Sequence, residues 1–121
     1  MGRMKVIYVA GPYSGASAKD ISENVALAAE VGQEIMRRGH AVVCPHTMTH
    51  DWDIRTGLEY QDFLDMDLEL LRRCDAICMV PGWETSHGSL GELELAKNLG
   101  KEIFESPLDV PDLRSDPFGA Q

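Results

Sequence analysis

What this sequence has little of narrows its function before any motif is read. No apolar stretch approaches the roughly 20 residues of a membrane-spanning helix. The opening MGRMKVIYVAG holds a short apolar run without the layout of a signal peptide. The expectation is a cytoplasmic protein without membrane contact. Basic charge is scarce: 11 Lys and Arg stand against 20 Asp and Glu, a formal net charge of -9. A duplex-binding protein needs a basic face against phosphate, so duplex nucleic acid is an unsuitable partner. A small anionic ligand remains possible, because backbone N–H groups and hydroxyls at helix N-termini can hold one. Cysteine is sparse and odd in number. Cys44, Cys74 and Cys78 each lie in or beside apolar sequence and read as buried reduced thiols. No metal and no cofactor is expected.

What is present points to one folded unit. The 121 residues leave room for one domain with one modest core. An apolar fraction of 44% argues against wholesale disorder. Residues 5–10 (KVIYVA) form a β-branched, nearly continuous apolar run, as in a strand covered on both faces. Residues 11–15 (GPYSG) end it as a loop. A helix is predicted over about residues 21–38, with Val25, Ala28, Ala29, Gly32, Ile35 and Met36 on one face and Gly39 as its stop. Residues 41–44 read as a second strand closed by Pro45, and residues 47–57 as a polar loop. Residues 58–73 read as a helix, 75–80 (DAICMV) as a strand, 81–88 as a loop, 89–99 as a helix stopped by Gly100, and 101–104 as a last strand. The tail from Ser106, with three prolines and several charges, reads as a loose polar extension of a domain ending near residue 105.

Strands alternating with helices imply βαβ units in a parallel sheet. Such a sheet places its ligand crevice beyond the carboxyl ends of the strands. The loops at 11–15, 45–57 and 81–88 meet that description and hold most of the Gly, His, Ser and Trp.

Two carboxylates sit on the wrong face of their helices. On a wheel of about 100° per residue, Tyr60, Phe63, Leu64, Leu70, Leu71 and Cys74 share one side, and Asp67 lies near its middle. A carboxylate there is costly unless it is paired, hydrogen-bonded or facing a cleft. A structural Asp that caps a neighbouring loop is the competing reading. In the last helix Glu92 shares the apolar side with Leu93, Ala96 and Leu99, while Glu94 and Asn98 point away. Placed in the first turn, Glu92 would also be favoured by the helix dipole. Ser89-x-x-Glu92 fits a capping box equally well. Two carboxylates in one cleft suit glycosidic-bond chemistry, where one attacks or stabilises the sugar carbon and the other manages a proton.

The string Ser86-His87-Gly88-Ser89-Leu90-Gly91-Glu92-Leu93-Glu94-Leu95-Ala96 resembles the nucleophile segment of the nucleoside 2-deoxyribosyltransferase superfamily. In that frame a Gly precedes the nucleophilic Glu by four residues and an Ala follows by four, as Gly88, Glu92 and Ala96 do. Asp67-Leu68-Glu69 with Asp75-Ala76 resembles the family's second segment, and Tyr8-Val9-Ala10-Gly11-Pro12-Tyr13-Ser14-Gly15 its opening motif. The resemblance spans roughly residues 5–104. It is nearest the short bacterial and phage branch of unknown function (domain of unknown function 4406-like), and is also similar to nucleoside 5′-monophosphate N-glycosidases. It implies a single doubly wound, flavodoxin-like or Rossmann-like parallel sheet of four to five strands with helices on both faces. By position, Glu92 would be the nucleophile, Asp67 would orient the sugar or donate a proton, and Tyr8 would sit beside the nucleophile. Gly11, Tyr13, Ser14, Ser86 and Gly88 would line the substrate, with Ser14 and Ser86 reaching a 5′-phosphate. Pro12 and Ser14 stand where the glycosidases have Ser and Arg, which leaves the phosphate requirement open. The resemblance also implies a homodimer or higher homo-oligomer.

Other residues keep two readings. His46 and His50 in the second loop either contact a base or handle a proton, or are exposed polar side chains. Trp83 either stacks on a base or anchors its loop on the domain. The direction of His87 is not readable. Three functions compete: cleavage or exchange of an N-glycosidic bond, non-catalytic nucleotide binding on the same fold, and a receiver-type signalling domain. The last needs an acidic cluster after the first strand, where Ala10-Gly11-Pro12 stands instead.

Overall fold

The computed structural model describes residues 2–49, 52 and 57–114. Strands Val6–Ala10 (β1), Ala41–Val43 (β2), Ala76–Met79 (β3) and Glu102–Phe104 (β4) pair in parallel in the order β2-β1-β3-β4. Helices Ala18–Arg37 (α1), Pro45–Met48 (α2), Tyr60–Arg73 (α3) and His87–Asn98 (α4) connect or flank them. Residues Trp83–Thr85 and Pro107–Asp109 form 3-10 turns. The expected α/β fold is therefore present, with four strands among the described residues.

Alternation along β1 divides the core in two. Ile7 and Val9 face α1, packing with Ala28, Val31, Ile35 and Cys78. Tyr8 and Ala10 face α3 and α4, packing with Leu71, Ile77, Met79, Leu93 and Ala96. Helices thus cover both faces. The α1 stripe differs slightly from its wheel: Val31 is buried and Met36 is exposed. Ser17 caps α1 by accepting from Asp20 N–H (3.2 Å), while Gly39, at φ 97°, ends it.

Two local elements differ from expectation. The loop after β2 begins with the short helix α2, because Pro45 opens a helical turn instead of only closing the strand. Its fixed φ and missing N–H suit a first helical position. The tail is not loose over Ser106 to Arg114. Val110 is 2% exposed and belongs to the α1-side core. The Val110 carbonyl accepts from the Arg38 guanidinium (3.0 Å), and the Leu113 N–H donates to the Arg38 carbonyl (2.9 Å). His40 accepts from the Lys5 N–H at Nδ1 (3.1 Å) and bonds the Pro111 carbonyl through Nε2 (2.7 Å). These contacts are non-local, so composition alone did not reveal them.

The chain leaves β1 toward β2 on one side and reaches β3 on the other. The crevice at this switch point opens between the loops that follow β1 and β3.

Candidate active site

Gly11 lets the switch point close. A Cβ built on it would lie 2.5 Å from Val80 Cβ, so only hydrogen fits between the ends of β1 and β3. Beyond Gly11 the first loop is pinned from below. Asn24 donates to the carbonyls of Tyr13 (3.1 Å) and Ser14 (3.3 Å). His46, on α2, donates from Nε2 to the Pro12 carbonyl (2.9 Å) and meets the Tyr13 ring edge-on at 5.5 Å between centroids. It is 8% exposed, and burial lowers its pKa, against the opposing pull of the Pro12 and Gly11 backbone. The geometry makes His46 a positioning residue for the loop.

The cleft above has a volume of about 740 Å³. From β1 and its loop, Tyr8, Gly11, Tyr13 and Ser14 line it. His46 and Thr49 close a second side. Asp67 lines it from α3, and Ser86, His87, Gly88 and Glu92 from α4. Nearly all the residues expected at the site thus share one cavity. Trp83 is the exception. It packs, half-buried, against the core cluster under α4 and does not line the cleft, so the reading that holds is the loop anchor. His50 lies outside the described residues.

Helix α4 begins two residues earlier than expected. Ser86 is its N-cap, accepting from Ser89 N–H (3.3 Å) and from the Ser89 hydroxyl (3.0 Å). Glu92 therefore lies in the second turn and takes no part in a capping box. Its expected first-turn dipole advantage is also absent. The Glu92 carboxylate instead accepts a short hydrogen bond from the Tyr8 hydroxyl. Tyr8 reaches it from the central strand, fully buried, and desolvation together with the neighbouring Glu92 and Asp67 charges holds the phenol protonated.

The carboxylates are electrically strained. Burial raises the pKa of Glu92 to about 7, against the stabilising Tyr8 hydrogen bond and with a further push from the Asp67 charge. Burial raises that of Asp67 to about 6. Asp67 Oδ1 is buried without a hydrogen-bond partner among the described residues, so the loop-capping reading has no support. A buried orphan acceptor is costly. Among the described residues no group of three or more His, Cys, Asp or Glu side chains could hold a metal ion, and no helix is long and apolar enough to cross a membrane.

Sequence reasoning missed the apolar wall of this cleft. Tyr60, Phe63 and Leu64 line it one and two turns before Asp67. Their helical spacing was visible but indicated core. Tyr60, the first residue of α3, is 76% exposed.

An all-parallel sheet of order β2-β1-β3-β4, with a cleft beyond its strand ends, defines the class as an open α/β domain. More narrowly, the chain belongs to the family described as Domain of unknown function (DUF4406), whose model matches residues 5–105. A solved structure described as 2-desoxiribosyltransferase from Leishmania mexicana is similar, with a TM-score of 0.56 and 23% sequence identity over 82% of this chain. The match covers 61% of that protein's chain. At this identity the likeness establishes a shared fold. No protein of curated function matches the chain.

Proposed function

We propose that this protein cleaves or exchanges the N-glycosidic bond of a nucleoside or nucleoside 5′-monophosphate. The observation that carries this reading is the pairing of Glu92, bonded by Tyr8, with the orphaned Asp67 in one cleft. Glu92 in its ionised form attacks C1′ of the sugar. The C1′–N bond breaks, and a glycosyl ester of Glu92 forms. Asp67 in its protonated form delivers its proton to the departing base. Water then attacks C1′ and passes its proton to the now ionised Asp67. The C1′–Glu92 ester bond breaks and hydrolysis is complete; a second base attacking in the same way gives transfer. The Tyr8 hydroxyl aims the carboxylate and steadies its charge before attack.

The similar solved protein is described as a deoxyribosyltransferase, which supports this class of reaction. Ser86 accepts two hydrogen bonds and keeps its own proton for an acceptor in the cleft, such as a sugar hydroxyl or a 5′-phosphate. Gly88 supports the same end of the cleft. A Cβ there would meet nothing within 4 Å, so the space is open to a ligand. The free, buried Cys44, Cys74 and Cys78 agree with a reducing, cytoplasmic setting. A homo-oligomer rests on the family resemblance.

A non-catalytic nucleotide binder is the competing reading. Two carboxylates lining the cleft speak against it, because a pure binder of an anion gains nothing from placing acidic groups there. The test is incubation with nucleosides and their 5′-monophosphates, with and without an acceptor base, scoring free base by chromatography. Base release that disappears in Glu92→Gln is expected. No release from any substrate, or equal release by the variant, overturns the reading.

A further inference from the structure

The cleft lining is of two kinds. Ser14, Thr85 and Ser86 are polar, while Tyr60, Phe63 and Leu64 come from α3, the helix that carries Asp67, and are aromatic or apolar. On a helix rising 1.5 Å per residue, Phe63 and Leu64 lie about one turn from Asp67, and Tyr60 about two. If C1′ sits between Glu92 and Asp67, a base attached to it projects about one ring length from that point. Phe63 and Tyr60 are the aromatic side chains that α3 presents to the same cleft.

We propose that Phe63 and Tyr60 form the nucleobase subsite and recognise the base by its π-face. The inference rests on the glycosidic reading above and extends it to how the base is chosen. Tyr60 supports it independently. It is a large aromatic ring, exposed at a helix start, bordering both the cleft and the adjoining groove between α3 and α4. Aromatic faces hold any planar base, and a larger base gains more contact. Purine nucleosides are therefore bound more tightly than pyrimidine nucleosides, and neither is excluded.

The experiment measures binding apart from chemistry. Glu92→Gln, as full-length chain, is titrated calorimetrically with 2′-deoxyadenosine, 2′-deoxyuridine and 2-deoxyribose. In this background Phe63→Ala weakens binding of both nucleosides about tenfold or more, and Phe63→Tyr restores it. Binding of 2-deoxyribose, which has no base, is the same with and without Phe63→Ala. Tyr60→Ala, which removes an exposed ring and leaves the core alone, weakens nucleoside binding in the same direction. Unchanged nucleoside binding in both alanine variants, equal loss of 2-deoxyribose binding, or no nucleoside binding at all overturns the proposal. In the wild-type background, Phe63→Ala raises KM more than it lowers kcat. Base release with an unaltered KM in that variant removes the subsite and leaves the glycosidic reading standing. Phe63-dependent nucleoside binding without base release by wild type does the reverse.

Discussion

Asp75 and Asp67 lie at opposite ends of the same sheet. At the amino end, Asp75 accepts from the Val6 N–H (2.8 Å), and this hydrogen bond lowers its pKa, with smaller help from Arg3, Lys5 and Lys101. Around it Lys5 pairs with Glu102, and Lys101 donates to the Arg72 carbonyl (2.7 Å). At the carboxyl end, Asp67 has an orphaned oxygen and Glu92 is held largely by one phenol. The first set of charges is satisfied by the fold itself. The second set is not. Both ends are polar, and they differ in how fully the fold meets their hydrogen bonds.

The largest break in this comparison is Glu92→Gln. Loss of a nucleophile removes the covalent route, so kcat falls by about three powers of ten or more. Glu94→Gln, two residues away and exposed, is the matched control and retains activity. Glu92→Gln also stabilises the protein above pH 7. A carboxyl whose folded pKa exceeds its unfolded one binds its proton more tightly when folded. Its stabilising effect is full below about pH 4 and fades as pH rises to about 7. Gln has no charge to desolvate and can still accept from Tyr8, so urea melts at pH 8 should show a gain of order 2 kcal/mol.

Asp67→Asn comes next, lowering kcat/KM by about 10²- to 10⁴-fold. In wild type the rate rises as Glu92 loses its proton and falls as Asp67 loses its own. With values of about 7 for Glu92 and about 6 for Asp67, the reactive pair of ionised Glu92 and protonated Asp67 is the minor singly protonated form, and kcat/KM follows a bell centred between the two values. Asn abolishes the alkaline fall. A profile that keeps both limbs in the variant removes Asp67 as the acid.

Smaller effects probe the frame. Gly11→Ala forces a methyl against Val80 and costs about 1–3 kcal/mol in thermal or urea melts. At the amino end, Asp75→Ala leaves Val6 N–H without its acceptor and costs about 1 kcal/mol, with kcat/KM unchanged. That stabilisation is present above the unfolded Asp pKa and is lost as pH falls through the lowered folded value, opposite in sign to Glu92. A parallel response of Asp75→Ala and Glu92→Gln to pH would erase the distinction between the two ends.

Much of this was legible in sequence because the signals were local. Residues 5–10 and 75–80 are too apolar to be anything but covered strands, and the observed β1 and β3 lie inside those ranges. Asp67 and Glu92 stood out because each interrupts an apolar stripe. What escaped depended on partners distant in the chain. Ser86 and Ser89 are both good caps three residues apart, and only the finished loop selects Ser86. Val110 and Pro111 look like tail until His40 and Arg38 are beside them. Tyr60 and Phe63 share the spacing of core residues, and nothing in that spacing reveals that they line a cleft.

The bond between Tyr8 and Glu92 has an optical consequence. A phenol that donates to a carboxylate absorbs differently from one that donates to a carboxylic acid. As Glu92 titrates, the near-ultraviolet band of Tyr8 shifts with it. The difference spectrum between wild type and Tyr8→Phe, followed across pH, therefore reads the charge of the cleft directly. No substrate is needed, so the chain carries an intrinsic chromophore for the state of its own site.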